Sequence, residues 1–120
     1  MSKDALRVGL VGVCGSGKTT LTNGLKPYSF TVRQIAQEHS YVPDMWQRLA
    51  NPDVLIFLEA SYLITKQRKT FDWSEKDYQK QLHRLRHANQ HADLHIDTDN
   101  LTPEEVREIV LIFLQDLQED

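Results

Sequence analysis

The 120-residue sequence has little of several features that would assign it to a special class of protein. It holds one cysteine, Cys14, so it carries no disulfide framework of the kind found in small secreted domains. It has no apolar stretch near the ~20 residues that span a bilayer, and no signal-peptide pattern. Its net charge of −3 provides no general attraction to nucleic acid or to an anionic membrane. We therefore expect a cytoplasmic protein that binds neither.

In other respects the amino-acid composition is that of an ordinary folded domain. Hydrophobic residues make up 40% of the chain and charged residues 26%. A chain of this length buries an adequate core without metal ions or disulfides. We expect a single domain over residues 1–120.

One segment carries the clearest chemical signal, residues 12–20 with the sequence GVCGSGKTT. It matches G-x-x-x-x-G-K-[ST], the phosphate-binding P-loop, at every fixed place. Its glycines let backbone N–H groups approach phosphate oxygens, Lys18 would lie between the β- and γ-phosphates, and Thr19 would offer its hydroxyl to Mg²⁺. The residues predicted to bind the triphosphate are Gly12, Val13, Cys14, Gly15, Ser16, Gly17, Lys18, Thr19 and Thr20.

Strand patterns alternate with helix patterns along the chain. Strands are predicted at residues 6–11, 28–35, 54–58 and 94–96, and helices at 20–25, 45–49, 61–69, after Ser74 and after Thr102. This order predicts an α/β fold, a single three-layer P-loop NTPase domain whose short parallel sheet of about four strands has helices on both faces. Gly12, Glu38, Glu59 and Asp97 would then share the carboxyl edge of the sheet, where ligands of such sheets bind.

Three segments together resemble the P-loop nucleoside and nucleotide kinases, the group of adenylate, thymidylate and shikimate kinases. They are GVCGSGKTT, NPDVLIFLEASYLITKQRK and HIDTDNLTPEEV. The resemblance implies that Mg²⁺-bound ATP is held and that its γ-phosphoryl group passes to a small acceptor or to water. It also implies a basic lid over the phosphates, for which Lys66, Arg68, Arg84 and Arg86 are the candidates. Arg68 and Arg84 join Lys18 and Glu38 as the predicted catalytic residues.

Two features of the chain limit this comparison. Only residues 36–51 are left to grip a phosphate acceptor, which is short for the kinase group. A non-catalytic nucleotide-binding module that regulates a partner protein is therefore the alternative hypothesis. In either case ATP is expected over GTP, because the chain has no guanine-reading NKxD or TKxD segment.

The sequence also lacks an apolar strand ending in Asp, which would hold the Mg²⁺ shell. Glu38, Glu59 and Asp44 compete for that role. The carboxylate has to follow a strand beside the strand of the P-loop, and the strand ending near Ile35 is a plausible neighbour. We therefore predict Glu38 as the metal-site partner of Thr19, with Glu59 next.

Other side chains are open to two interpretations each. His83, His87 and His91 have helical spacing that suits either a transition metal or a solvated polar face. His39 could orient a water or a substrate hydroxyl, or could cap a loop.

The aromatic segment and the cysteine are equally open. Tyr41, Met45 and Trp46 could stack on a base or pack in the core. Cys14 is either a small loop residue or a redox-sensitive thiol.

Overall fold

The computed structural model describes residues 5–69 and 72–118, and a parallel sheet lies at its centre. The strands are β1 (Arg7–Gly12), β2 (Thr31–Gln34), β3 (Val54–Glu59) and β4 (Leu94–Asp97). Their order is β2-β1-β3-β4, and each neighbouring pair is parallel. The predicted α/β class and four-stranded parallel sheet are confirmed, and all four carboxyl ends lie at one edge.

Helices connect these strands and extend beyond the last one. They are α1 (Lys18–Leu25), α2 (Met45–Ala50), α3 (Tyr62–Arg68), α4 (Glu75–Arg84), α5 (Arg86–His91) and α6 (Pro103–Gln118), with a 3₁₀ turn at Gln37–His39. The helix start predicted at Ser74 is confirmed, and Ser74 forms a capping box with Asp77. Within the described residues, none of these helices combines the length and the apolar character needed to cross a bilayer.

The core lies in two layers, one on each face of the sheet. On one face, Leu10 and Ile56 pack with α1 and α6. On the other face, Val11 and Phe57 pack with Trp46 of α2 and with α5. Successive residues of a strand point to opposite faces, so the apolar run in β3 is buried on both sides, as its sequence predicts. The predicted three layers are therefore present.

Three details of the fold differ from the sequence-based expectation. The strand predicted at residues 28–35 is shorter, Thr31–Gln34, and mostly exposed because it is an edge strand. The spacing of Val106, Ile109, Val110, Phe113, Leu114 and Leu117 predicts one apolar face for the last helix. That face is displaced in the structure, because Leu111 is buried whereas Ile109 and Leu117 are exposed. The helix predicted after Ser74 ends at Arg84, and a second helix begins at Arg86.

We expect truncation of the central strand to destabilise the fold far more than the same truncation on α6. Ile56 is fully buried between the layers, so Ile56→Ala should lower the free energy of unfolding by about 2–5 kcal/mol. Ile112 is 53% exposed, so Ile112→Ala should change it by less than about 0.5 kcal/mol. Urea unfolding measures both values, and equal losses would contradict the described core.

Candidate functional site

The site is built around residues 12–20, which we call the glycine-rich loop and which connect the end of β1 to the start of α1. A Cβ on Gly12 would stand 2.5 Å from the carbonyl oxygen of Leu58 and 2.6 Å from Ser16 Oγ, so only glycine lets the loop leave β1 this close to β3. Gly17 precedes the first turn of α1 with φ +107°, in the left-handed region that favours glycine. A Cβ there would meet no atom of the described chain within 4 Å. The loop is therefore tight at its start and open at the start of α1.

Lys18 and Glu38 form an ion pair at the centre of the site. Their Nζ and Oε2 atoms are 3.1 Å apart, and the two side chains are only 10% and 6% exposed. Lys18 Nζ also donates hydrogen bonds to the carbonyl oxygens of Gly12 at 2.6 Å and Val13 at 3.1 Å. Glu38 comes from the 3₁₀ turn that follows β2, so the pair joins the two neighbouring strand ends.

Two buried oxygen atoms of the site have no hydrogen-bond partner within the described part of the chain. They are Glu38 Oε1 and Ser16 Oγ. Buried polar atoms are nearly always paired, so an unpaired oxygen at a concave surface suggests a place for a ligand, an ion or a water molecule. Thr19 Oγ1 donates to Gln34 Oε1 at 3.1 Å, which holds its hydroxyl at the end of β2.

Arg68 and Thr98 support the opposite side of the loop. The Arg68 guanidinium donates to the Gly15 carbonyl oxygen at 2.9 Å and to the Thr98 carbonyl oxygen at 2.9 Å. The hydroxyl of Thr98 is buried, 3.1 Å from the carbonyl oxygens of Ser16 and Glu59. These contacts tie α3 and the end of β4 to the glycine-rich loop.

Two adjoining pockets lie along the loop and share Gly17, Thr20 and Arg68 in their walls; we call them together the trough. Its polar part has a volume of about 460 Å³ and is lined by the loop together with Gln34, Glu38 and Arg68. Its apolar part has a volume of about 190 Å³ and is lined by Leu21, Leu101, Pro103 and Val106, with Arg68 and the start of α1 shared between the two. A ligand with a charged end and a flat apolar end would match this division.

The structure brings together some of the predicted site residues and leaves others apart. Lys18, Thr19, Glu38 and Arg68 all line the polar part of the trough. Arg84 lies outside it, where its guanidinium donates to the Glu38 carbonyl oxygen at 3.3 Å and to Tyr41 Oη at 3.2 Å.

The remaining charged candidates are also turned to other contacts. Lys66 lies over the ring of Tyr62 at 5.8 Å. Arg86 donates to the carbonyl oxygen of His83 at 2.8 Å. Asp44 pairs with Arg48 at 3.0 Å on the surface of α2.

Glu59 lies on the opposite side of the sheet edge from the trough. It is exposed and lines a separate cleft with Phe57 and Tyr78. Burial, then the charges of Asp99, Glu59 and Asp97, raise the pKa of Tyr78, whose hydroxyl donates to the Ala60 carbonyl oxygen at 2.7 Å. Although β3 borders β1 just as β2 does, its final carboxylate faces away from Lys18.

The histidine and aromatic candidates belong to the scaffold in most cases. Trp46 is buried in the core, and its Nε1 donates to Nδ1 of His87 at 3.1 Å. The ring of His87 stacks on that of His91 at 4.2 Å. Among the described residues, the three predicted helix histidines form no group that could hold a metal ion. Tyr41 is 85% exposed beneath the Arg84 guanidinium.

Sequence patterns missed three residues of the site. Gln34 contacts Thr19, Thr98 supports the loop, and Gln81 of α4 accepts a hydrogen bond from the backbone N–H of Cys14 at 2.9 Å. Gln34 and Thr98 were detectable in principle because each comes at the carboxyl end of a strand. Gln81 carries no such signal, since it comes from a helix 67 residues away.

Comparison with known proteins identifies no relative, since no protein-family model and no curated protein matches this sequence.

We expect Gly12→Ala to destabilise the protein by about 1–3 kcal/mol, because the added Cβ would overlap the Leu58 carbonyl oxygen. Gly24→Ala on α1 is the matched control. Its Cβ would meet only the flexible Arg107 side chain at 3.4 Å, and alanine favours a helix by up to about 1 kcal/mol. Urea midpoints compare the two variants, and a Gly12→Ala protein as stable as Gly24→Ala would exclude the close approach of the loop to β3.

Proposed function

We propose that this protein binds Mg²⁺-bound ATP in the trough and transfers its γ-phosphoryl group to a small acceptor or to water. The proposal is supported above all by the buried Lys18–Glu38 pair, which places a cation and a carboxylate at the mouth of a glycine-rich loop. A triphosphate requires the cation and its metal ion requires the carboxylate. The domain proposed is a P-loop NTPase of the nucleoside and nucleotide kinase type.

The side chains that line the trough are compatible with both ATP and Mg²⁺. Glu38 Oε1 has no partner among the described residues, and carboxylate oxygens are preferred Mg²⁺ ligands. Thr19 supplies a hydroxyl in the same part of the trough. No atom of the described chain lies within 4 Å of the place that a Cβ on Gly17 would occupy. This open space at the start of α1 would suit a phosphate group. The apolar part beside Leu101 and Val106 would accept the base.

Each residue has a role in this proposal that follows from its position. The free N–H groups at the start of α1 and the ammonium of Lys18 hold the phosphate oxygens. Thr19 and Glu38 would hold Mg²⁺, which supplies neutralisation of charge on the phosphates when it is bound. Arg68 lies at Gly15, where its guanidinium can stabilise charge that develops during transfer. Arg84 would have to leave Tyr41 before it could serve as a second clamp.

One observation favours the alternative, a nucleotide-binding module that regulates a partner protein without turnover. Residues 36–51, which would have to grip an acceptor, pack instead as scaffold through the buried Gln37 and Trp46. Gln37 Oε1 accepts from the backbone N–H of Trp46 at 2.8 Å, and its Nε2 donates to the Val42 carbonyl oxygen at 2.9 Å. Product analysis with Mg²⁺-ATP and a panel of nucleosides, nucleotides and small alcohols separates the two functions. Transfer or release of the γ-phosphate supports the enzyme, and intact ATP supports the module.

We expect Lys18→Ala to abolish ATP binding, and a second variant is needed to separate this loss from unfolding. Removing Lys18 alone leaves the buried Glu38 carboxylate without its cation, which costs about 3–5 kcal/mol of stability. Lys18→Ala with Glu38→Gln removes both charges and should recover most of that stability. The double variant should still fail to bind metal-free ATP, whereas Glu38→Gln alone should bind it.

Calorimetry measures ATP binding and urea unfolding measures stability for the wild type and these three variants, which together form a double-mutant cycle. A folded double variant with the wild-type dissociation constant for metal-free ATP would refute the proposed role of Lys18.

We expect Glu38→Gln to remove the Mg²⁺ dependence of ATP binding, because glutamine keeps the size of the side chain but not its charge. Glu59→Gln is the matched control, since Glu59 ends β3, the other neighbour of β1, but lines a different pocket from the trough. Mg²⁺ titrations measure the metal dependence of ATP affinity in both variants, in buffers freed of transition metals. Loss of the metal effect in Glu59→Gln and its retention in Glu38→Gln would assign the carboxylate to β3 instead.

A further inference from the structure

We propose that Cys14, Glu38 and His39 form a binding site for Zn²⁺ at the wall between the trough and a neighbouring cleft. The ligand atoms of these three residues all lie within 4.8 Å of one another. In the part of the chain that the structure describes, they are the one group of three such residues close enough to share a metal ion.

The distances between the ligand atoms of these residues are close to those around a bound zinc ion. Cys14 Sγ lies 3.6 Å from His39 Nε2, and His39 Nε2 lies 3.8 Å from Glu38 Oε2. With ordinary Zn–S and Zn–N lengths, a tetrahedral ion places its sulfur and nitrogen ligands roughly 3.6 Å apart. The Cys–His pair therefore already has the separation required. A nitrogen–oxygen separation of roughly 3.3 Å is expected around the ion. The carboxylate would therefore have to move closer to His39 than its present 3.8 Å.

Gln81 holds Cys14 in place through two contacts. Gln81 Oε1 accepts from the backbone N–H of Cys14 at 2.9 Å, and Gln81 Nε2 lies 3.3 Å from the sulfur as a donor. A cysteine binds a metal through its sulfur as the thiolate.

The chemistry of the three ligands favours Zn²⁺ over Mg²⁺. Thiolate and imidazole are poor ligands for Mg²⁺, whereas zinc combines sulfur, nitrogen and carboxylate oxygen readily. On binding, the cysteine thiol loses its proton to solvent and the sulfur bonds to the metal. Three protein ligands leave a fourth position for water.

The ion can reach the site from outside the trough. His39 is more than half exposed, and together with Cys14 it lines a cleft of about 320 Å³ on the side of α4. The cleft also contains Asp72 and Asp77, whose charges offset those of Lys80 and Arg84. Zinc entry therefore requires no opening of the glycine-rich loop.

Zinc and Mg²⁺-ATP would compete for one carboxylate, and this consequence rests on the proposed function. Glu38 Oε2 now pairs with Lys18 at 3.1 Å. A zinc ion held by Cys14 and His39 would draw Glu38 away from Lys18 and from the proposed magnesium position. Bound zinc would then weaken Mg²⁺-ATP binding.

The test of the site is a titration of the reduced protein with Co²⁺, in the absence of nucleotide, followed by displacement with Zn²⁺. A thiolate-to-cobalt charge-transfer band in the near ultraviolet should appear and should be lost on addition of Zn²⁺. Cys14→Ser should remove the band, and His39→Ala should weaken binding roughly tenfold or more. His91→Ala, which removes an exposed histidine that contacts His87, should bind as the wild type does.

Three results would overturn the site: no band in the wild type, wild-type affinity in both ligand variants, or an equal loss in His91→Ala. Circular dichroism of each variant establishes that it is folded, and His39→Ala changes a residue that is largely exposed. Because nucleotide is absent, these results do not depend on whether the protein binds ATP.

A second measurement tests the competition. Zn²⁺ should raise the dissociation constant for Mg²⁺-ATP in the wild type but much less in His39→Ala, which keeps Lys18, Thr19, Glu38 and the whole glycine-rich loop. An equal effect of zinc in both proteins would overturn the competition. If Mg²⁺-ATP does not bind to the zinc-free wild type, the proposed function is refuted. The cobalt titration still tests the zinc site in that case.

Discussion

The site depends on the ion pair between Lys18 and Glu38. A charge removed from water is costly unless an opposite charge and hydrogen bonds compensate for it, so neither buried side chain would be stable there alone. Lys18 is compensated by Glu38 and by two loop carbonyl oxygens. Glu38 is carried by the turn after β2, so the pair makes the shape of the glycine-rich loop dependent on correct docking of an edge strand.

The other side of the loop is supported by a hydrogen bond that the Thr98 hydroxyl donates to the Ser16 carbonyl oxygen and by the Arg68 guanidinium. These residues follow β4 and end α3, so strand ends on both sides of β1 position one loop. The common cause is the parallel arrangement, which brings every carboxyl end to the same edge of the sheet. At that edge Glu38 is shared by Lys18 and the proposed metal sites, which makes this carboxylate the point where separate ligands would interact.

Much of the fold could be predicted because its signals are local. The apolar run in β3 predicted a strand covered on both faces, and Ser74 with Asp77 predicted a helix start. Predictions failed where packing decides the outcome. The pattern of residues 28–35 does not reveal that only an edge position is available, and the spacing of His83, His87 and His91 does not reveal the break at Leu85.

By itself, the sequence determined the position of the loop between a strand and a helix, the glycines that its backbone requires and the parallel α/β class, because these depend on neighbouring residues and their periodicity. Only the tertiary structure shows which carboxylate lies beside Lys18. Both β2 and β3 border β1, so strand order does not distinguish Glu38 from Glu59. The difference is one of direction: Glu38 leaves the 3₁₀ turn toward Lys18, whereas Glu59 ends its strand in a separate cleft. Likewise, Gln81 and His39 meet Cys14 only because helix packing brings distant segments together.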